Sequence, residues 1–208
     1  MGKFIVIEGI DGAGKSTVIE YLKKHLPKGR VLFTREPGGT PMGESMRGLL
    51  GMNINPITEL LLISAARSEH VEKTIIPALD DGYHVITDRF VASTYAYQLY
   101  GREVIYAHDL WGRITRMVLS PHDKKALRPD FSVFLSIDPQ EGLRRNAGKK
   151  VGIEKFEEEG LAFARRSQEG YERYFHYYCP AHKKIDASRS IEAVSEEVLS
   201  VVKEKCEL

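Results

Sequence analysis

The sequence predicts an α/β fold built on a parallel sheet, and three observations carry that prediction. Short apolar runs alternate with longer stretches of helical period along the chain. The first run, Phe4-Ile5-Val6-Ile7, passes straight into a glycine-rich loop and then a helix. With 208 residues the chain suits one domain with room for a small insert, and it is long enough to bury a full core.

Composition narrows the function. The formal net charge is +1, from 30 basic and 29 acidic residues, which argues against a general binder of nucleic acid or membrane surfaces. The two cysteines, Cys179 and Cys206, have no metal-type spacing and read as reduced thiols. No apolar run approaches membrane-spanning length and no signal peptide precedes the first strand, so a cytoplasmic location is expected.

Phe4 to Ile7 reads as a strand buried on both faces. Gly9-Ile10-Asp11-Gly12-Ala13-Gly14-Lys15-Ser16-Thr17 then fits G-x-x-x-x-G-K-[ST], and Val18, Ile19, Leu22 and Leu26 continue at helical spacing. Its glycines let backbone N–H groups close around an anion at the positive end of the helix dipole. Lys15 would reach the β- and γ-phosphates of a nucleoside triphosphate, and the Ser16 hydroxyl would hold magnesium. The bland alternative is an ordinary glycine-rich turn between strand and helix.

After the break at Pro27-Lys28-Gly29, Arg30 to Thr34 reads as a second strand. The irregular segment Arg35-Glu36-Pro37-Gly38-Gly39-Thr40-Pro41 follows, where an open parallel sheet borders its ligand crevice. Met42 to Leu50 looks helical and presents Arg47. Asn55-Pro56 then caps a long helical run containing Ile63. Arg67 interrupts this run, and on residue type alone a lone helical arginine reads as solvated. Pro77 should bend or restart the helix before Asp80-Asp81-Gly82 ends it.

His84 to Thr87 is the third strand, with Asp88-Arg89-Phe90 at its end, where such folds place the acid that manages magnesium and its waters. Ser93 to Gln98 opens the next helix beside the crevice, and Tyr106 to Leu119 is another, with Trp111 packing. Pro121 to Arg128 is a polar connector and Phe131 to Ile137 the fourth strand. The helical turn after Pro139 runs into Leu143 to Gly152, whose four cations and two glycines look like a mobile basic flap. Glu154 to Tyr178 is a long helix whose aromatic residues, Tyr171 among them, read as packing. Lys183 to Asp186 is a fifth strand, and Ser190 caps a final helix. The seven histidines are scattered and none is assigned to catalysis or metal.

Arg35, Arg47, Arg67 and Arg89 all fall on segments expected to converge beside Lys15. Two phosphates brought together repel, and each pair of unit charges at about 4 Å and an effective dielectric near ~20 costs about 4 kcal/mol. Fixed arginines and magnesium reverse the sign of that field. A sugar hydroxyl acceptor benefits from a base, whereas an ionised phosphate monoester attacks unaided, so several arginines without a dedicated base favour a monophosphate acceptor. Glu36 keeps a nucleoside acceptor open, and a slow nucleotide-hydrolysing switch is the reading from another class, although the chain lacks the [NT]-K-x-D guanine signature.

These residues resemble the thymidylate kinase family. GIDGAGKST, TREPGGT, ISAAR, DRFVASTYAYQ, RPD and EKFEEEG stand in the family's order and cover nearly the whole chain. The resemblance implies a three-layer phosphate-loop fold over residues 1–208, with a five-stranded parallel sheet flanked by helices and a lid at about 144–155. It implies magnesium-dependent transfer of the ATP γ-phosphate to dTMP by a homodimer. Asp11 would then contact the deoxyribose 3′-hydroxyl, and Glu36, Pro37 and Arg47 would line the monophosphate pocket. Arg67 would hydrogen-bond thymine O4, Arg89 would bridge acceptor and transferred phosphates, and Thr94, Tyr97 and Gln98 would lie against base and sugar. Asp88 would support magnesium and Arg89.

Two departures from the family pattern bear on the chemistry. The family's catalytic arginine comes either from the phosphate loop or from the lid, and the loop position here is Gly12, which points to Arg144 and Arg145. Lys155 stands where the lid motif often has arginine. Ile63 occupies the position of a base-stacking phenylalanine, so thymine, uracil or a 5-modified uracil all remain open as the base.

Overall fold

A computed structural model describes residues 2–121, 126–147 and 155–208. Strand β1 (Phe4–Glu8) is buried along its whole length, and the loop after it enters α1 (Lys15–His25). β2 (Val31–Arg35), α2 (Pro41–Leu50) and α3 (Pro56–His70) follow. The Asn55 carboxamide caps α3 by accepting from the Ile57 N–H at 2.8 Å, and Thr40 caps α2 through Gly43 at 3.0 Å. α3 passes through a π-helical turn, Val71–Ile75, into α4 (Ile76–Asp80), which carries Pro77 in its first turn. Proline has no N–H to continue the ladder, so the helix restarts there.

β3 (His84–Asp88) leads into the short α5 (Val91–Thr94), which widens into a π-helical segment, Tyr95–Gly101, before α6 (His108–Leu119). β4 (Phe131–Ser136), α7 (Pro139–Ala147), α8 (Lys155–Tyr177), β5 (His182–Asp186) and α9 (Ile191–Cys206) complete the described chain. All five strands are parallel in the order β2-β3-β1-β4-β5, with Ile7 opposite both Asp88 and Val133. β1 is therefore central, and the loop that leaves it emerges mid-sheet at the edge where the other strands also end.

Alternation along β1 divides the core. Ile5 and Ile7 pack with Val18 and Leu22 of α1 and Val198 and Val202 of α9. Phe4 and Val6 pack on the other face with Leu60 of α3, Ile75 and Leu99. Helix α8 lies close on the π segment because Gly170 has no side chain: a Cβ there would sit 2.7 Å from Ala96 Cα and 2.9 Å from Tyr100 Cβ.

The basic flap is one point of difference from the sequence reading. Leu143 to Ala147 form the regular end of α7, where Glu141 pairs with Arg144 at 2.7 Å and Arg145 at 2.8 Å, one helical turn away. The rest of the expected flap, residues 148–154, lies outside the described residues, as does 122–125 of the connector.

Phe134 is the packing hinge between sheet and α8, stacking on Phe175 at 4.8 Å and Tyr171 at 5.5 Å with no exposed surface. Phe134→Ala is expected to lower the unfolding free energy by about 3–5 kcal/mol, read from the urea midpoint at unchanged slope.

Candidate active site

Two clefts open along the C-terminal edge of the sheet and meet. The larger, about 720 Å³, runs from the phosphate loop, Asp11 to Thr17, to Arg145, Arg189 and Ser190. The smaller, about 490 Å³, is lined by Glu59, Ile63, Arg67, Thr94, Tyr97 and Gln98. Asp11, Glu36, Arg47 and Arg89 line both. The same two guanidinium groups therefore border both clefts.

Arg89 is fixed at that junction. Its backbone takes φ +70°, a left-handed value unfavourable for a residue with a side chain, and its N–H still donates to the Ile7 carbonyl at 2.9 Å. Nη2 donates to Asp11 Oδ1 at 2.6 Å and Tyr97 OH at 3.2 Å; Nη1 donates to Tyr171 OH at 3.1 Å, Ser93 Oγ at 3.2 Å and Gly9 O at 3.3 Å. The guanidinium also lies over the Tyr97 ring, 4.8 Å from its centre.

Behind Arg89 lies Glu8, a buried carboxylate at the end of β1. It accepts from the Phe90 N–H and the Ser93 hydroxyl, each at 2.7 Å, and from Tyr171 OH at 3.1 Å. Burial raises its pKa, against the opposing pull of the Ser93 hydrogen bond and the Arg89 charge.

Lys15 is buried, and its Nζ donates to the carbonyls of Gly9 at 2.8 Å and Ile10 at 3.0 Å. Burial first, and the Arg89 charge second, lower its pKa to about 8. Close packing explains why the loop carries glycine at position 12: φ is +84° and a Cβ would sit 2.0 Å from the Gly142 carbonyl oxygen of α7.

In the smaller cleft Arg67 is buried rather than solvated, because the fold sets acceptors against its Nε and Nη2 groups. Nε donates to Glu36 Oε2 at 2.7 Å, and Nη2 to Phe90 O and Thr94 Oγ1, each at 2.9 Å. His70 bonds the other Glu36 oxygen through Nδ1 at 3.0 Å and Thr34 Oγ1 through Nε2 at 2.7 Å. Glu36 is thus clamped on both oxygens from inside the protein. Arg47 donates to the Pro37 carbonyl at 2.8 Å and borders both clefts. Gln98 donates to Glu59 Oε1 at 2.7 Å, and Ile63 lines the wall.

Not every expected cation converges. Arg35 lines the larger cleft, but its guanidinium pairs with Glu44 at 2.8 Å at the rim. Arg145 borders the larger cleft and donates to Ala187 O at 2.9 Å, away from the junction. Arg144 pairs with Glu141 at the surface and lines neither cleft. The Lys155 side chain lies outside the description. Glu8, Glu59, His70, Tyr171 and Arg189 were missed as site residues by sequence reasoning; only Glu8, a charge closing an apolar strand, left a visible signal.

The donor set fits magnesium in one form. Asp88 Oδ1 is buried with no hydrogen-bond partner among the described residues, and Ser16 lines the same cleft. Among the described residues no group of three or more His, Cys, Asp or Glu side chains could enclose a metal. Such a site suits an ion that takes most of its ligands from phosphates and water.

The family model described as thymidylate kinase matches residues 7–198. The thymidylate kinase of Alkalilimnicola ehrlichii is 40% identical over 199 residues, 93% of this chain and 88% of the relative. That of Francisella philomiragia is 40% identical over 209 residues, 97% and 98% of the two chains. The crystal structure of thymidylate kinase from Ehrlichia chaffeensis superposes with a TM-score of 0.74 at 30% identity, covering 97% of this chain and 98% of the other.

The Lys15 environment has a pH consequence. An anion drawn against Lys15 raises its pKa, so binding a polyphosphate above pH 8 takes up a proton. The Lys15 contribution to affinity is expected to be level near pH 7 and to fall by up to about tenfold per unit above about 8, with proton uptake measured by titration calorimetry in buffers of different ionisation enthalpy.

Proposed function

Because the chain belongs to the thymidylate kinase family, we propose that its two joined clefts hold donor and acceptor for phosphorylation of dTMP to dTDP. ATP takes the larger cleft, its phosphates along the N–H groups of Gly12 to Thr17 with Lys15 beneath. dTMP takes the smaller one, its phosphate at the junction and its base toward Arg67 and Gln98. The observation that carries this reading is the sharing of Asp11, Glu36, Arg47 and Arg89 by both clefts.

A dTMP phosphate oxygen is already an anion and needs no base to attack the γ-phosphorus in line with the departing ADP oxygen. Arg47 draws the acceptor phosphate to the junction. Arg89, rigid before either substrate arrives, meets the charge that spreads over the transferred group without reorganising. Ser16 and Asp88 would hold magnesium, which would neutralise part of the donor phosphates' charge. Arg145 is assigned to the donor nucleotide, whereas a catalytic role for Arg144 requires α7 to move.

Nucleoside phosphorylation is the weaker reading. It needs a base, and both oxygens of Glu36 are engaged by Arg67 and His70. Uracil-type bases stay within reach, since Ile63 offers aliphatic contact without selecting for ring electronics. The homodimer is read from a stripe of exposed apolar residues, Tyr106 in the turn just before α6 and Leu110 and Met117 on it. A cytoplasmic location is proposed with it, from a reaction that consumes ATP and from two cysteines that stand unpaired.

Coupled ADP-release assays over dTMP, dUMP, 5-hydroxymethyl-dUMP and thymidine test the acceptor; turnover of thymidine without dTMP would refute it. Arg89→Ala is expected to lower kcat by about 10²–10³-fold while ATP affinity changes little. Light scattering is expected to give about twice the 23.5 kDa chain mass, and Met117→Glu to shift it toward monomer.

A further inference from the structure

Glu59 stands on α3 in the wall of the smaller cleft, and the chemistry above makes no use of it. Its side chain is only 12% exposed, and both oxygens are engaged: Oε1 by Gln98 Nε2 at 2.7 Å, Oε2 by Arg102 Nε at 3.0 Å. A carboxylate this enclosed requires a compensating cation, which Arg102 supplies.

The two ends of a glutamine amide have nearly the same shape, so only its neighbours decide which way it faces. Glu59 offers acceptors, so Gln98 turns its NH₂ toward Glu59 and its carbonyl oxygen away. Among the described residues no donor reaches that oxygen, and Gln98 lines the cleft. Arg67 completes the pattern. Its Nε and Nη2 are engaged internally, and among the described residues Nη1 has no partner. The cleft therefore presents one acceptor from Gln98 and one donor from Arg67.

Uracil and thymine carry the complement, a carbonyl O4 beside an N3–H. Cytosine carries the reverse, an amino group beside an unprotonated N3. We propose that Glu59 is a specificity-determining positioning residue: by fixing the Gln98 amide it makes the cleft accept a 4-carbonyl pyrimidine and reject a 4-amino one. The proposal rests on the reading that a pyrimidine monophosphate occupies the smaller cleft.

The test compares kcat/KM for dTMP, dUMP and dCMP in the wild type, Glu59→Gln, Gln98→Ala and the double variant. A glutamine at 59 can donate as well as accept, so the Gln98 amide is free to face either way. Glu59→Gln is expected to cut the dTMP to dCMP ratio by at least about tenfold, with dTMP falling, dCMP rising and the KM for ATP unchanged. Gln98→Ala alone is expected to lower the ratio similarly, and adding Glu59→Gln to it changes nothing further. An unchanged ratio, an equal loss on both substrates, or a further fall in the double variant would overturn the proposal; if Glu59→Gln does not fold, the same ratio is read in Glu59→Met, which removes both acceptors, and an unchanged value there overturns it. A wild type that turns over none of the three would instead overturn the cleft assignment on which the proposal stands.

Discussion

The site depends on a guanidinium that is immobile before any ligand arrives. Arg89 reaches acceptors on the loop after β1, on α5, on the π segment and on α8, so four parts of the chain are tied to one planar group. Such a group exerts its field without first reorganising, which is where preorganised charge has its advantage over water. The backbone conformation that aims it is unfavourable by about 1–3 kcal/mol and persists because the surrounding contacts over-determine it.

Placing a second cation, Lys15, in the same buried region works against stability. Burial first, and then the Arg89 charge, depress the Lys15 pKa, and Asp88, Asp11 and Glu8 offset part of that. Buried charged networks of this kind are commonly less stable than apolar packing of the same volume. Stability is supplied elsewhere, by β1 buried on both faces and by the aromatic stack of Phe134, Tyr171 and Phe175. Tyr171 belongs to both: its ring packs in the core while its hydroxyl holds Glu8 and Arg89.

Much of the fold was legible because the signals are local. The phosphate loop, the Asn55 and Ser190 caps and the apolar strand runs each lie within a few residues, and the strands fall within a residue or so of the positions expected. The loop residues and Arg35, Arg47, Arg67, Arg89 and Arg145 could be named from the sequence, whereas Arg189 of the larger cleft was not. Arg67 could not be read as buried, since what buries it comes from two separate segments, Glu36 after β2 and Phe90 with Thr94 around α5. His70 and Glu59 escaped for the same cause: each looks like an ordinary helical polar residue until the fold brings its partner alongside. The π segments were also hidden, because widening a helix by one residue leaves no mark in apolar spacing over so short a stretch.

That widening ties the pocket to the length of the chain. Between Thr94 and Gly101 an added residue is accommodated without breaking the helix, and everything after it is turned by about 100° relative to a regular α-helix. Substitutions there alter a contact, but a deletion of one residue would rotate Gln98 and its neighbours out of alignment together. Descendants of this sequence can therefore vary the letters in the segment far more readily than their number.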